Sequence, residues 1–201
     1  INCIMSKISL RFHPHELLFH FEAGTSRGVL TKKKSYFVEL SDGVRCGIGE
    51  AGPLYGLSPE YSEDCAAAFE KALRPFHGLS LPTNIKEWIA EIPFEQPSFR
   101  FALETAYHDL TAPFTNKFAQ GEKSLPINGL IWMGSADFMR EQIEQKLAQG
   151  YSCLKLKIGA IDFETELSLL KSIRSRFSAE QLILRVDANG AFSPAEAPYK
   201  L

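Results

Sequence analysis

The sequence predicts an α+β unit followed by the opening of a parallel βα array, and two observations carry that prediction. In the first half, two short alternating segments flank a hairpin turn and precede helical stripes. In the second half, strand, helix, strand, helix and strand follow one another, a grammar that produces a parallel sheet or a barrel. The division falls at a polar, Gly-containing stretch, Ala112 to Ser124. This gives a first domain over 1–124 and a second over 125–201.

Within the first domain, Ser35 to Leu40 alternates as a strand, Asp42-Gly43 is a hairpin signal, and Val44 to Ile48 returns as its partner. Ile4 to Phe12, together with Leu17 to Phe21, supplies a third element. The polar segment Ala23 to Gly28 reads as a loop. Ser58 followed by Pro59 predicts a helix start, with Tyr61, Cys65, Ala68, Phe69, Ala72 and Leu73 forming its apolar stripe. A second helix covers Ser98 to Leu110.

In the second domain, Pro126 to Trp132 is a strand candidate. Ser135 caps a helix carrying Met139, Ile143 and Leu147, and Gly150 supplies its stop. Ser152 to Ile158 is the next strand, Asp162 caps the next helix, and Leu182 to Asp187 is the third strand. Ser193-Pro194-Ala195-Glu196 has the form of a capping box for a further helix.

Composition narrows the function classes. Lys and Arg number 22 against 24 Asp and Glu, a net charge of −2, which gives no electrostatic case for nucleic acid or an anionic membrane. No apolar run approaches the roughly 18 residues of a membrane span, and no signal segment opens the chain, so a cytoplasmic protein is expected. The cysteines Cys3, Cys46, Cys65 and Cys153 form no CxxC pair, which argues against a zinc site; mostly buried thiols are expected. His13-Pro14-His15 places two imidazoles on one strand face without further ligands, and Lys32-Lys33-Lys34 reads as a solvated approach to the hairpin.

The chemistry concentrates in two strands. In Leu154-Lys155-Leu156-Lys157-Ile158, alternation puts both lysines on one face and the apolar residues on the other. The apolar set must meet the covering helices, which turns the lysines inward, where an unpaired ammonium is costly. In Leu184-Arg185-Val186-Asp187, the same rule turns Leu184 and Val186 toward the helices and Arg185 and Asp187 inward. Asp187, with Asn189 just beyond it, ends its strand at the C-terminal rim, where βα folds place active sites. Solvated lysines on an exposed edge would explain either motif alone; two adjacent strands that agree in facing favour a shared cavity.

These residues resemble the enolase superfamily, in its muconate lactonizing and o-succinylbenzoate synthase branch. The resemblance rests on KLKIG (155–159) followed by RVDANGAFSPAEA (185–197). It extends to CGIGEAGPL (46–54), similar to that branch's GxGEAxPL segment, to FALETAYHDL (101–110), and to LPING (125–129) as a first barrel strand. The resemblance implies an α+β capping domain over a modified (β/α)8, TIM-like barrel that holds Mg2+, with Mn2+ able to substitute, and takes a small-molecule carboxylate substrate. It implies Lys157 as the general base or acid and Lys155 as a partner that helps keep Lys157 neutral and contacts the substrate carboxylate. It further implies Asp187 as the first metal ligand and Asn189 as either a support for the metal's ligands or a substrate contact; Arg185, on the same inward face, is a candidate substrate contact. Capping-domain loops supply specificity in this family, which makes Ser26, Arg27, Leu54 and Gly56 candidate substrate contacts.

An ordinary lysine titrates near 10.4, too high for a base at neutral pH. A neighbouring ammonium, an arginine and a divalent metal would lower it, and carboxylate oxygen suits Mg2+. Within the branch, the segment GEAGPLYGLS (49–58) favours the synthase-type lyase, a dehydratase of menaquinone biosynthesis; dipeptide epimerases, N-acylamino acid racemases and muconate cycloisomerases remain alternatives. Three strands do not close a barrel, and 201 residues fall short of the roughly 250 of a typical one. The expectation is therefore an incomplete barrel in a chain that is inactive alone, or a fragment with a structural role. Homo-oligomerisation is left open.

Overall fold

A computed structural model describes residues 7–25, 28–112 and 117–201. The chain divides into two compact units: Ile1–Leu18 with Lys32–Gln120, and Phe19–Thr31 with Gly121–Leu201.

The first unit is built on a three-stranded sheet in the order β1-β2-β3: β1 Ser9–Thr25, β2 Gly28–Ser41 and β3 Cys46–Ala51. β2 and β3 are antiparallel, with Ser41 opposite Cys46 and Tyr36 opposite Ala51. Both outer strands are longer than or differ from the sequence reading. β1 runs unbroken through Pro14, which an edge strand tolerates because its lost N–H need not serve a neighbour. Residues 23–25 and Gly28, expected in a loop, belong to β1 and β2; Ser26 and Arg27 lie outside the described residues.

The helices α1 Cys65–Leu73, α2 Lys86–Glu91 and α3 Pro97–Thr111 follow. Tyr36, Val38 and Leu40 of β2 pack with Phe69, Leu73, Phe99, Leu103 and Leu110 in one core. The Phe69 and Phe99 rings stack with centroids 4.0 Å apart. α1 starts seven residues after Ser58, a correction to the expected cap. The Ser58 hydroxyl accepts instead from the Leu54 N–H at 3.0 Å, closing a turn behind it. α2 was not foreseen. Cys65 is buried, but Cys46 is exposed, against the expectation of mostly buried thiols.

In the second unit, β4 Gly129–Ile131, β5 Cys153–Lys157 and β6 Ile183–Asp187 form a parallel sheet in that order. α4 Ala136–Ala148 and α5 Phe163–Arg174 connect them. Both expected caps are present: the Ser135 hydroxyl accepts from Phe138 N–H at 3.3 Å, and Asp162 accepts from Thr165 N–H at 3.0 Å. Gly150, at φ +82°, ends α4 in the left-handed region. Ser193 and Glu196 exchange the reciprocal hydrogen bonds of a capping box, ahead of the four-residue α6 Ala197–Lys200. Leu154, Leu156 and Ile158 are buried with Met139, Ile143, Leu169 and Ile173. Leu184 packs against this core, but Val186 is 41% exposed, not covered as expected, and α6 buries no residue. Among the described residues, no helix is long and apolar enough to cross a membrane.

Candidate active site

The site grows out of the register of the parallel sheet. Lys155 lies level with Arg185 and Lys157 with Asp187. Paired residues in adjacent strands point the same way, so all four share the face opposite the buried leucines. Lys155 Nζ stands 2.7 Å from Asp187 Oδ2, both side chains being about 30% exposed. The lysine pair is therefore half-buried and partly neutralised, which is how two ammonium groups are tolerated side by side.

Asp187 is held from two directions. Lys155 occupies one oxygen, and Oδ1 accepts the Asn189 N–H at 3.0 Å. The Lys155 ammonium first, then the Asn189 backbone donor, keep the Asp187 carboxyl below its ordinary value. Asn189 adopts φ +48° and Gly190 φ +72°, so the chain turns sharply just beyond the carboxylate. Arg185 Nη1 lies 3.4 Å from Asn128 Oδ1, before β4.

Lys157 lies over an aromatic face: its Nζ is 5.7 Å from the centre of the Trp132 ring. Trp132 is flanked in turn by Phe21, ring centroids 6.2 Å apart, and Phe21 also meets Phe138 at 6.0 Å. The Gln142 amide accepts from the Trp132 N–H at 2.9 Å and donates to its carbonyl at 3.2 Å, replacing a strand partner at the edge of the sheet. Phe21, Trp132, Phe138 and Gln142, with Leu130, Lys146 and Tyr151, line a cavity of about 440 Å³.

Trp132 and Asn128 are the site residues the sequence reading missed. The signal was available for Trp132, which lies two residues beyond Leu130 and so shares the inward face at the C-terminal end of its strand. Leu54 and Gly56 form a turn in the first unit, with Leu57 N–H donating to Leu54 carbonyl at 3.1 Å and Gly56 at φ +69°. The two imidazoles of the His13-Pro14-His15 segment have local partners: His13 bonds Glu39 at 3.3 Å, and the His15 ring lies against Phe37. Among the described residues, no group of three His, Cys, Asp or Glu side chains could hold a metal. Asp187 suits one position around a hard cation, and a complete ligand set would need further oxygens.

The family described as Enolase C-terminal domain-like matches residues 138–199. An o-succinylbenzoate synthase from Desulfotalea psychrophila is 43% identical over 98% of this chain and 62% of its own length. A hydrophobic dipeptide epimerase from Roseobacter litoralis is 25% identical over 94% of this chain and 56% of its own length. The crystal structure of the o-succinylbenzoate synthase from Thermosynechococcus elongatus BP-1, complexed with Mg in the active site, superposes with a TM-score of 0.73 at 25% identity. That match covers 96% of this chain and 55% of that one. The chain thus spans between half and two thirds of the length of these relatives. Over the part that it spans, the chain belongs to the enolase superfamily.

Proposed function

We propose that this chain contributes the base and one metal ligand of an o-succinylbenzoate synthase-type dehydratase. The observation that carries the reading is the Lys155–Asp187–Lys157 constellation on one face of β5 and β6, in a chain 43% identical to such a synthase. In this reading the first unit acts as a capping domain, and the three parallel strands are part of a barrel whose further strands come from sequence beyond these residues. The coverage of the relatives supports that arrangement.

The substrate is a carboxylate with a hydroxyl on the carbon next to its acidic C–H. Neutral Lys157 takes the proton α to the carboxylate, and the C–H electron pair moves onto the carboxylate as an enediolate. The pair then returns to form the carbon–carbon double bond while the β C–O bond breaks, and the departing hydroxide takes a proton to leave as water. Lys157, now protonated, is one source of that proton. Lys155, tied to Asp187, orients the substrate carboxylate. Asp187 would hold a divalent cation, Mg2+ by its hard-oxygen chemistry, which supplies charge stabilisation for the enediolate. Ser26, Arg27, Leu54 and Gly56 are proposed as specificity contacts.

The test is an assay of the natural gene product with Mg2+ and a β-hydroxy cyclohexadiene carboxylate, following appearance of the aromatic acid. Dehydration supports the reading; dipeptide epimerisation exceeding it would replace it with the alternative that the dipeptide epimerase relative offers. An intact, folded and active product of 22.5 kDa would remove the proposed further strands.

A further inference from the structure

Glu166 is one of two buried polar residues among those described, at 2% exposure, and it lies outside the constellation above. It sits in the first turn of α5, yet its carboxylate turns back to the β5–α5 loop. One oxygen accepts the Gly159 N–H at 2.8 Å, and the other accepts the same group at 3.0 Å. The first oxygen also lies 3.3 Å from the Ala160 nitrogen and 3.5 Å from that of Ile161. Three successive amides thus converge on one carboxylate, the concave arrangement by which backbone binds anions. Burying that carboxylate is costly unless such donors are present.

This loop joins the two site strands. Gly159 follows Lys157 by two residues, and the Ile158 N–H donates to the Asp187 carbonyl at 3.0 Å. Gly159 adopts φ +93°, and a Cβ there would overlap the Ala191 side chain in the loop after β6. The backbone at 158–161 is therefore wedged between Glu166 on one side and the Asp187–Ala191 turn on the other.

We propose that Glu166 is a positioning residue: its buried carboxylate is the built-in anion of the Gly159–Ile161 amides and fixes the ends of β5 and β6 that carry Lys157 and Asp187. The kinetic arm of its test rests on the proposed dehydratase reading; the spectroscopic arm does not.

The spectroscopic reporter is Trp132, 5.7 Å from the Lys157 ammonium, its emission isolated as the difference from matched Trp132→Phe variants of the natural gene product. Glu166→Ala is expected to shift Trp132 emission toward the value of Lys157→Met, and the double variant to shift no further. Formate is expected to restore the wild-type emission where chloride at equal ionic strength does not, because a carboxylate refills the amides. In turnover, kcat falls about 10- to 100-fold, the scale of a misplaced catalytic group, with KM nearly unchanged and formate restoring it. Wild-type emission in folded Glu166→Ala, equal restoration by chloride, or an undiminished shift in the Lys157→Met background would overturn the proposal. If Glu166→Ala does not fold, Glu166→Gln keeps the size and loses one acceptor; wild-type emission in that variant overturns it equally. Absence of dehydration in the unmodified protein, with the emission coupling intact, would remove the dehydratase reading and leave the role of Glu166 standing.

Discussion

The Lys155 ammonium reaches diagonally across the β5–β6 pair to Asp187, 2.7 Å away, while Lys157, which is level with Asp187 in the register, lies over Trp132. The two lysines of one strand face are thus chemically distinct. Lys155 is committed to a carboxylate, whereas Lys157 lies over an aromatic face.

That distinction predicts different outcomes for the two substitutions. Lys157→Ala is expected to lower kcat by about 10²- to 10⁴-fold, the usual contribution of a general base, and to abolish exchange of the substrate α-proton with deuterated water. Lys155→Ala should retain measurable exchange and mainly raise KM. Proton NMR of substrate in D2O separates the two, and exchange at the wild-type rate in Lys157→Ala would remove it as the base.

Asp187→Asn keeps the shape of the side chain and removes its charge. If Asp187 is a metal ligand, Mn2+ affinity followed by electron paramagnetic resonance should weaken by about tenfold or more, by analogy with the 10- to 100-fold cost of disturbing metal-site residues. If it serves only to neutralise Lys155, Mn2+ binding will be unchanged and thermal stability alone will respond.

The alternation in 154–158 and 184–187 made the facing of the site strands legible, because a period of two assigns every side chain once the apolar set is known. The caps at Ser135 and Asp162 were legible for a similar reason: each has one local role that the sequence exposes. Ser58 was not legible, since its hydroxyl could serve a helix ahead or a turn behind, and only the tertiary path of Leu54–Ser58 decides. The continuity of β1 through Pro14 depended on the strand lying at the edge of the sheet, a fact of topology. The role of Glu166 was not legible, because an acidic residue is ordinary in a helix's first turn and its partners are backbone amides, which carry no side-chain signature.

Glu50 supplies a pH prediction in the first unit. The Ser35 hydroxyl donates to its carboxylate at 2.6 Å, and Lys33 lies 3.3 Å away. The Ser35 hydrogen bond first, and then Lys33, hold the Glu50 carboxyl below its usual range. A carboxyl lowered by folding stabilises the protein above its unfolded pKa, about 4.3, and the contribution fades as pH falls through the lower folded value. Ser35→Ala should cost about 1 kcal/mol or less near neutral pH, discounted for the exposure of Glu50, in urea titrations. The difference from wild type should shrink below about pH 4. A difference that stays constant through the acid range would show that Ser35 acts through packing alone.

The glycines of the segment that resembles GxGE have a packing role that predicts a larger effect. Gly47 and Gly49 of β3 face α3 so closely that a Cβ on either would overlap a helix carbonyl, Ala106 for the first and Ala102 for the second. Asp109 then reaches from α3 to accept the Ile48 N–H at 2.8 Å, which fixes the helix at that spacing along the outer strand. A methyl group at Gly49 cannot be absorbed by a rotamer change, since the obstacle is backbone, so the whole helix must move. Gly49→Ala should therefore destabilise the first unit by about 3 kcal/mol, the upper end for overpacking. Gly43→Ala in the exposed hairpin turn meets no neighbouring atom and tests only the strain of φ +88°, about 1 to 2 kcal/mol. Urea denaturation of the two variants in parallel separates crowding from backbone strain, and equal losses would show that helix α3 can yield at no cost.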